Sequence, residues 1–174
     1  MSTSHVDAKT TSREPRHQQT RGQFVLFTAI AAIVAAAAAW LSEALALEVW
    51  IMFAGFIAWF TRPTSTRDGI HSMICLWLGI LLAAISYWAT GSLISLAASL
   101  ALPLVVFAVA LLVVGLRTTP VLDNMLGWFL GLVTYFAAEL EPQLTSFANL
   151  GLATAIGGFA GWACQALNRR FAEA

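Results

Sequence analysis

The placement of nine basic residues constrains this chain more than any other feature of its sequence. Lys9, Arg13, Arg16 and Arg21 precede the first long apolar run. Arg62 and Arg67 follow the second run, Arg117 the fourth, and Arg169 and Arg170 the sixth. The stretches after the first, third and fifth runs hold no Lys or Arg; Glu43 and Glu48 stand after the first, Glu139 and Glu141 after the fifth. Cations are costly to translocate and stay on the side of the bilayer where synthesis occurs. If all six runs cross, every basic side chain falls on that side. The pattern predicts an all-α membrane protein of six transmembrane helices with cytoplasmic N- and C-termini.

Composition agrees with that expectation. The 174 residues are 59% hydrophobic and 10% charged, against about 25% charged in a soluble domain. Six spans of ~20 residues consume most of the length. What remains is a polar tail over residues 1–22, expected to be disordered, ahead of a transmembrane domain over residues 23–170. Net charge is zero, which gives no reason to expect nucleic acid as a partner; membrane lipid is the expected surrounding. Cys75 and Cys164 lie within apolar runs and supply neither a metal-ligand spacing nor a disulfide framework. No metal or cofactor is expected. Ala35 to Ala39 followed by Ala44-Leu45-Ala46 has the look of a secretory leader, but Phe24 to Leu41 is as long as a full span, so the segment is expected to remain as a helix.

The runs place helix one at about Phe24–Ser42, two at Leu47–Thr61 and three at Ile70–Thr90. Helix four follows at Leu96–Leu116 with Pro103 inside it, five at Val121–Ala138 and six at Phe147–Leu167. Thr119-Pro120 is expected to open helix five, Thr as cap and Pro in the first turn. Helices two and five are short, at roughly 22–27 Å against a ~30 Å hydrocarbon core. They also share a pattern. Phe53-x-Gly55-x3-Trp59-Phe60 in one matches Phe129-x-Gly131-x3-Tyr135-Phe136 in the other, and Gly-bearing helices follow both, with Gly79 and Gly157-Gly158. The chain thus divides into three helices plus three, repeat one over about 24–91 and repeat two over about 96–168. An odd number per half makes the second copy enter from the opposite face, an inverted repeat.

Gly55 and Trp59 share one helix face, as do Gly131 and Tyr135. Two such notches near a symmetry axis suit an aromatic-walled path, for which Phe53, Gly55, Trp59, Phe60, Phe129, Gly131, Thr134, Tyr135 and Phe136 are the candidates. Trp77, deep in helix three, is the tryptophan expected to line an interior. The rival reading is close helix contact through glycine, with aromatic anchors at the interfaces. Gly127, Gly157 and Gly161 fall on small-residue stripes and are expected to serve helix packing. No ionisable residue lies mid-span, which disfavours ion-coupled transport. No motif for an enzyme is present.

In the stretches Val49–Phe60, Asn124–Ala138 and Leu150–Trp162, the chain resembles the YcdZ-like family of small bacterial inner-membrane proteins of unknown function. That resemblance implies a multi-pass protein of the bacterial inner membrane and supplies no substrate or catalytic residue. More loosely, Gly127-Trp128-Phe129-Leu130-Gly131-Leu132-Val133-Thr134-Tyr135 is similar to helices of the urea and short-amide channels, six-span proteins that assemble into rings. The long polar tail and the cytoplasmic N-terminus depart from that pattern.

Together these features predict a channel or facilitator for a small neutral or weakly polar solute, assembled as a homo-oligomer and lined by helices two and five. The alternative is a non-transporting scaffold or regulatory subunit that binds partner helices.

Overall fold

The structure, a computed structural model, describes residues 21–62 and 65–171. The expectation of a disordered tail lies outside the described residues except for Arg21 and Gly22, which belong to the first helix. Among the described residues six α-helices follow one another: α1 (Arg21–Ala44), α2 (Val49–Phe60), α3 (Thr66–Ala97), α4 (Ala101–Gly115), α5 (Met125–Ala137) and α6 (Leu144–Phe171). Short 3-10 turns at Ala98–Leu100 and Leu116–Thr118 keep Thr66–Thr118 helical almost throughout. By length and composition three stretches are able to cross a membrane: Gly22–Ala44, Thr66–Thr118 and Leu144–Phe171. Val49–Phe60 and Met125–Ala137 are apolar but shorter. These helices fit a membrane location.

Local chemistry sets most of the helix ends. Ser65 caps α3: its hydroxyl oxygen accepts from the Asp68 N–H at 3.2 Å, while the hydroxyl donates to Asp68 Oδ2 at 2.7 Å. Asn124 caps α5 by accepting from the Gly127 N–H at 3.2 Å. The sequence assigned that role to Thr119, five residues too early. Thr119 instead donates its hydroxyl to the Leu116 carbonyl at 2.6 Å, closing the turn behind α4. Pro103 sits in the first turn of α4, where a missing N–H leaves no bond unmade.

Helix three runs seven residues beyond its expected end at Thr90 and overruns the expected boundary of the first repeat at residue 91. Gly91 does not stop it, since a lone glycine costs a helix only about 1 kcal/mol. The Thr90 and Ser92 hydroxyls bond back to carbonyls one turn earlier, which lets polar residues continue a helix. The break comes at Ala98, where φ is +44°, a backbone turn that lets α4 fold back along α3.

The helices associate as two pairs. α2 lies mainly against α6, and α3 against α5; α1 is applied to α6, and α4 to α3. Both main pairs are built on a glycine from each helix. A Cβ on Gly55 would stand 1.9 Å from the Thr154 carbonyl oxygen, and one on Gly157 would stand 1.8 Å from that of Met52. In the other pair a Cβ on Gly131 would stand 2.1 Å from the Leu76 oxygen, and one on Gly79 would stand 2.3 Å from the Trp128 oxygen. The partners correspond: Gly55 and Met52 precede Gly131 and Trp128 by 76 positions, while Leu76 and Gly79 precede Thr154 and Gly157 by 78. On the first register Val49, where α2 starts, also falls on Met125, where α5 starts.

Matching helices run in opposite directions. The C-terminal end of α2 meets the N-terminal end of α5 through an Arg62–Asp123 ion pair and a 2.6 Å hydrogen bond from Asn124 Nδ2 to Thr61 Oγ1. The same end holds the start of α3, because Asn124 Nδ2 also donates to Ser72 Oγ at 2.8 Å. The late part of α6 lies there too, since the Trp59 indole N–H donates to Gln165 Oε1 at 3.1 Å. This basic end gathers Arg62 and Arg67 near the last turns of α6 with Arg169 and Arg170, while the opposite end carries Glu43, Glu48, Glu139 and Glu141.

Candidate functional site

The glycine notches are filled. The backbone of α6 occupies the space beside Gly55, and the backbone of α3 occupies that beside Gly131, so neither notch opens onto a passage. Trp59 lies flat in a slot cut by two further glycines; a Cβ on Gly69 would sit 2.5 Å from its ring, and one on Gly161 would sit 2.7 Å from its Cβ. Gly127 faces Cys75 and the Ser72 carbonyl on α3. The candidates Gly127, Gly157 and Gly161 therefore all stand at contacts between helices within the protomer. Backbone approach this close gives van der Waals contact where lipid offers no hydrophobic drive.

The aromatic candidates divide. Trp59 and Tyr135 are buried and Phe60 is half-buried, while Phe53, Phe129 and Phe136 are exposed on the outside of the helix bundle. Thr134 is buried with its hydroxyl donated to the Leu130 carbonyl at 2.7 Å. The set is not brought together around one space between α2 and α5. Its cause is the pairing itself: each short helix turns its glycine face to α6 or α3, and that rotation carries the phenylalanines two residues earlier outward.

Trp77, expected to line an interior, lies away from both glycine notches. Its side of α3 points away from the glycine contact, leaving it 44% exposed, and its indole N–H donates to Thr154 Oγ1 at 3.0 Å. It stands on the wall of an open groove between α3 and α6. A cavity of about 440 Å³ occupies the middle of that groove, lined by Trp77, Ile80, Leu81, Phe147, Gly151 and Ala155. Nothing lies within 4 Å of a Cβ placed on Gly151. Towards the acidic end a second cavity of about 520 Å³ is lined by Tyr87, Trp88, Gly91 and Ser92 of α3 and by Glu141, Pro142 and Gln143 before α6. Phe147, which borders the first cavity, stacks on Tyr135 with ring centroids 5.9 Å apart. The Tyr135 hydroxyl is buried without a hydrogen-bond partner among the described residues. An unsatisfied hydroxyl in an apolar interior is costly.

The two halves differ on their outer flanks. Beside α2 the rings of Phe53, Phe56 and Phe60 form a ladder with centroids 6.5 and 5.2 Å apart. On the corresponding face of α5, Phe129 and Phe136 flank Leu132 and leave a crevice of about 320 Å³ against α3 and α4. The middle residue is the smaller one on this flank, Leu132 against Phe56.

The sequence reading missed the polar cluster at the basic end. Asn124, Thr61 and Ser72 share hydrogen bonds there, beside the Arg62–Asp123 pair. Asp123-Asn124 ahead of an apolar run was a usable capping signal. Opposite charges on one expected side, Arg62 and Asp123, were the other.

Among the described residues no three His, Cys, Asp or Glu side chains gather as a metal site. No curated protein and no solved structure matches the chain, so the YcdZ-like and urea-channel likenesses rest on the quoted motifs alone. Residues 29–169 match the model of a family described as a protein of unknown function, DUF1097. The match spans most of the helical region, and the chain belongs to the DUF1097 family.

Proposed function

We propose that this is a multi-pass protein of the bacterial inner membrane that crosses six times as a 3+3 inverted repeat and provides a path for a small neutral or weakly polar solute. The equivalent glycine contacts, Gly55 with Gly157 and Gly131 with Gly79, support the repeat. The opposed directions of α2 and α5 support its inversion, and the segregation of arginines from glutamates supports cytoplasmic termini. Such repeats are common among transporters, which place their sites near the repeat interface.

One observation carries the functional reading. The α3–α6 groove presents a half-exposed tryptophan, its indole N–H held by the buried Thr154 hydroxyl, in otherwise apolar walls with no charge in the central cavity. A site of that kind selects by size and stacking rather than by charge. The path therefore runs along α3 and α6 instead of α2 and α5, and a neighbouring copy in a homo-oligomer covers its open side. Proteoliposome swelling with urea, formamide, glycerol and small amides is the test. The expected result is a permeability above protein-free vesicles that falls on Gly151→Leu, which fills the central cavity; no excess permeability for any solute would end the proposal.

A scaffold or regulatory subunit is the second reading, favoured by the filled glycine notches, which leave the protomer interior closed. A stoichiometric foreign membrane protein that co-purifies with the chain would favour it over the first.

A further inference from the structure

We infer that the polar cluster at the basic end is a releasable latch, the gate of the path proposed above, which it presupposes. Asn124 is 5% exposed and uses its whole side chain. Its amide oxygen caps α5, and its amide nitrogen bridges Thr61 at the end of α2 and Ser72 on α3. Thr61 in turn donates to the Ala58 carbonyl at 2.7 Å, and Ser72 donates to the Asp68 carbonyl at 2.9 Å. Next to it, Arg62 and Asp123 form an ion pair whose side chains are 27% and 31% exposed. Every one of these bonds joins a residue to its own helix or ties the two halves together.

The register shared by the two halves shows that this arrangement has no equivalent at the other end. The positions matching Asp123 and Asn124 are Leu47 and Glu48; those matching Thr61 and Arg62 are Ala137 and Ala138; that matching Ser72 is Leu150. Glu48 makes no side-chain capping bond. Inverted halves of like construction have like stability at the two ends. Hydrogen bonds and an ion pair added at one end alone make that end the closed one, and their rupture the event that opens it. Directional bonds suit a latch because they are lost over a small displacement, whereas leucine contacts slide.

The molecule contains its own reporter. Cys75 is buried one turn beyond Ser72, donates to the Val121 carbonyl at 3.6 Å, and would be uncovered if α5 left α3 at this end. Cys164, buried in α6 and contacted by Asn168, is the internal reference. The test is alkylation of the full chain in proteoliposomes by membrane-permeant N-ethylmaleimide, with each cysteine followed by mass spectrometry. Asp123→Ala and Asn124→Ala are each expected to raise the Cys75 rate about tenfold and to leave Cys164 unchanged. The exchange Arg62→Asp with Asp123→Arg is expected to restore protection. An unchanged Cys75 rate in both single variants, or an equal rise at both cysteines, would overturn the latch. Because labelling needs no solute, this result stands apart from the swelling assay: flux without a Cys75 response removes the latch alone, and a Cys75 response without flux removes the path and with it the latch's role as a gate.

Discussion

At the basic end of the bundle, α2, α3 and α5 are joined by an amide, two hydroxyls and an ion pair. At the acidic end, the matching positions bring Leu47 and Leu150 into the apolar core with Ala138 packed against it, while Ala137 is exposed. The backbone scaffold is the same at both ends and the chemistry is not. Glycine contacts in mid-bundle fix the crossing of the helices, and they need only the absence of a side chain, so both halves keep them. Ties between helix ends need particular side chains, which stand at the basic end and not at the matching positions. The lesson is that the two pairs agree in how their helices cross and differ in how their ends are tied.

The strongest way to break this comparison is to enlarge the glycines. Gly55→Val and Gly131→Val each drive a side chain into a backbone carbonyl that has no room to move, and each is expected to destabilise by about 3 kcal/mol or more. Loss of monodisperse protein on heating in detergent, followed by size-exclusion chromatography, measures it. If only one of the two variants collapses, the crossings are not equivalent.

A smaller effect separates the ends. Asn124→Ala removes a cap and strands Thr61 and Ser72, at about 2 kcal/mol, whereas Glu48→Ala at the matching position is expected to change stability by less than about 0.5 kcal/mol. Denaturation in mixed micelles reads both; equal losses would erase the asymmetry. On the outer flanks, Leu132→Phe should copy the role of Phe56 by filling the crevice against α4, raising stability by about 1 kcal/mol. A lowered melting temperature would mean that the crevice is too narrow for a ring. A smaller loss, about 0.5 kcal/mol, is expected from Trp77→Phe. It removes one hydrogen bond, and Thr154 keeps its own bond to the Leu150 carbonyl at 2.7 Å. A melting shift as large as that of Asn124→Ala would show that the groove wall is part of the structural core.

Much of the architecture was legible because it follows from period and charge. Apolar runs located every helix, and the Phe-x-Gly-x3-aromatic-Phe pattern marked two helices that do share a register. The ends were harder to read. Thr119-Pro120 had the form of a start, yet Asn124 holds the cap, because a turn behind α4 had first to be closed. Gly91 had the form of a stop, yet back-bonded hydroxyls carried α3 past it. Site residues were harder still. The motif named Gly55, Trp59, Gly131 and Tyr135 as neighbours on a face, which they are, but which partner that face meets depends on helices far away in the chain.

By itself the sequence determined that the chain is helical and apolar, where its charges lie along the chain, and which glycines matter, since all of these are properties of residue type and spacing. Only the tertiary structure decided what fills the glycine notches, which aromatics face outward, and that the open groove lies between α3 and α6. The reason is physical: a notch in a helix is a vacancy of fixed shape, and whether backbone or solute occupies it is settled by the rotation and approach of the helix laid against it.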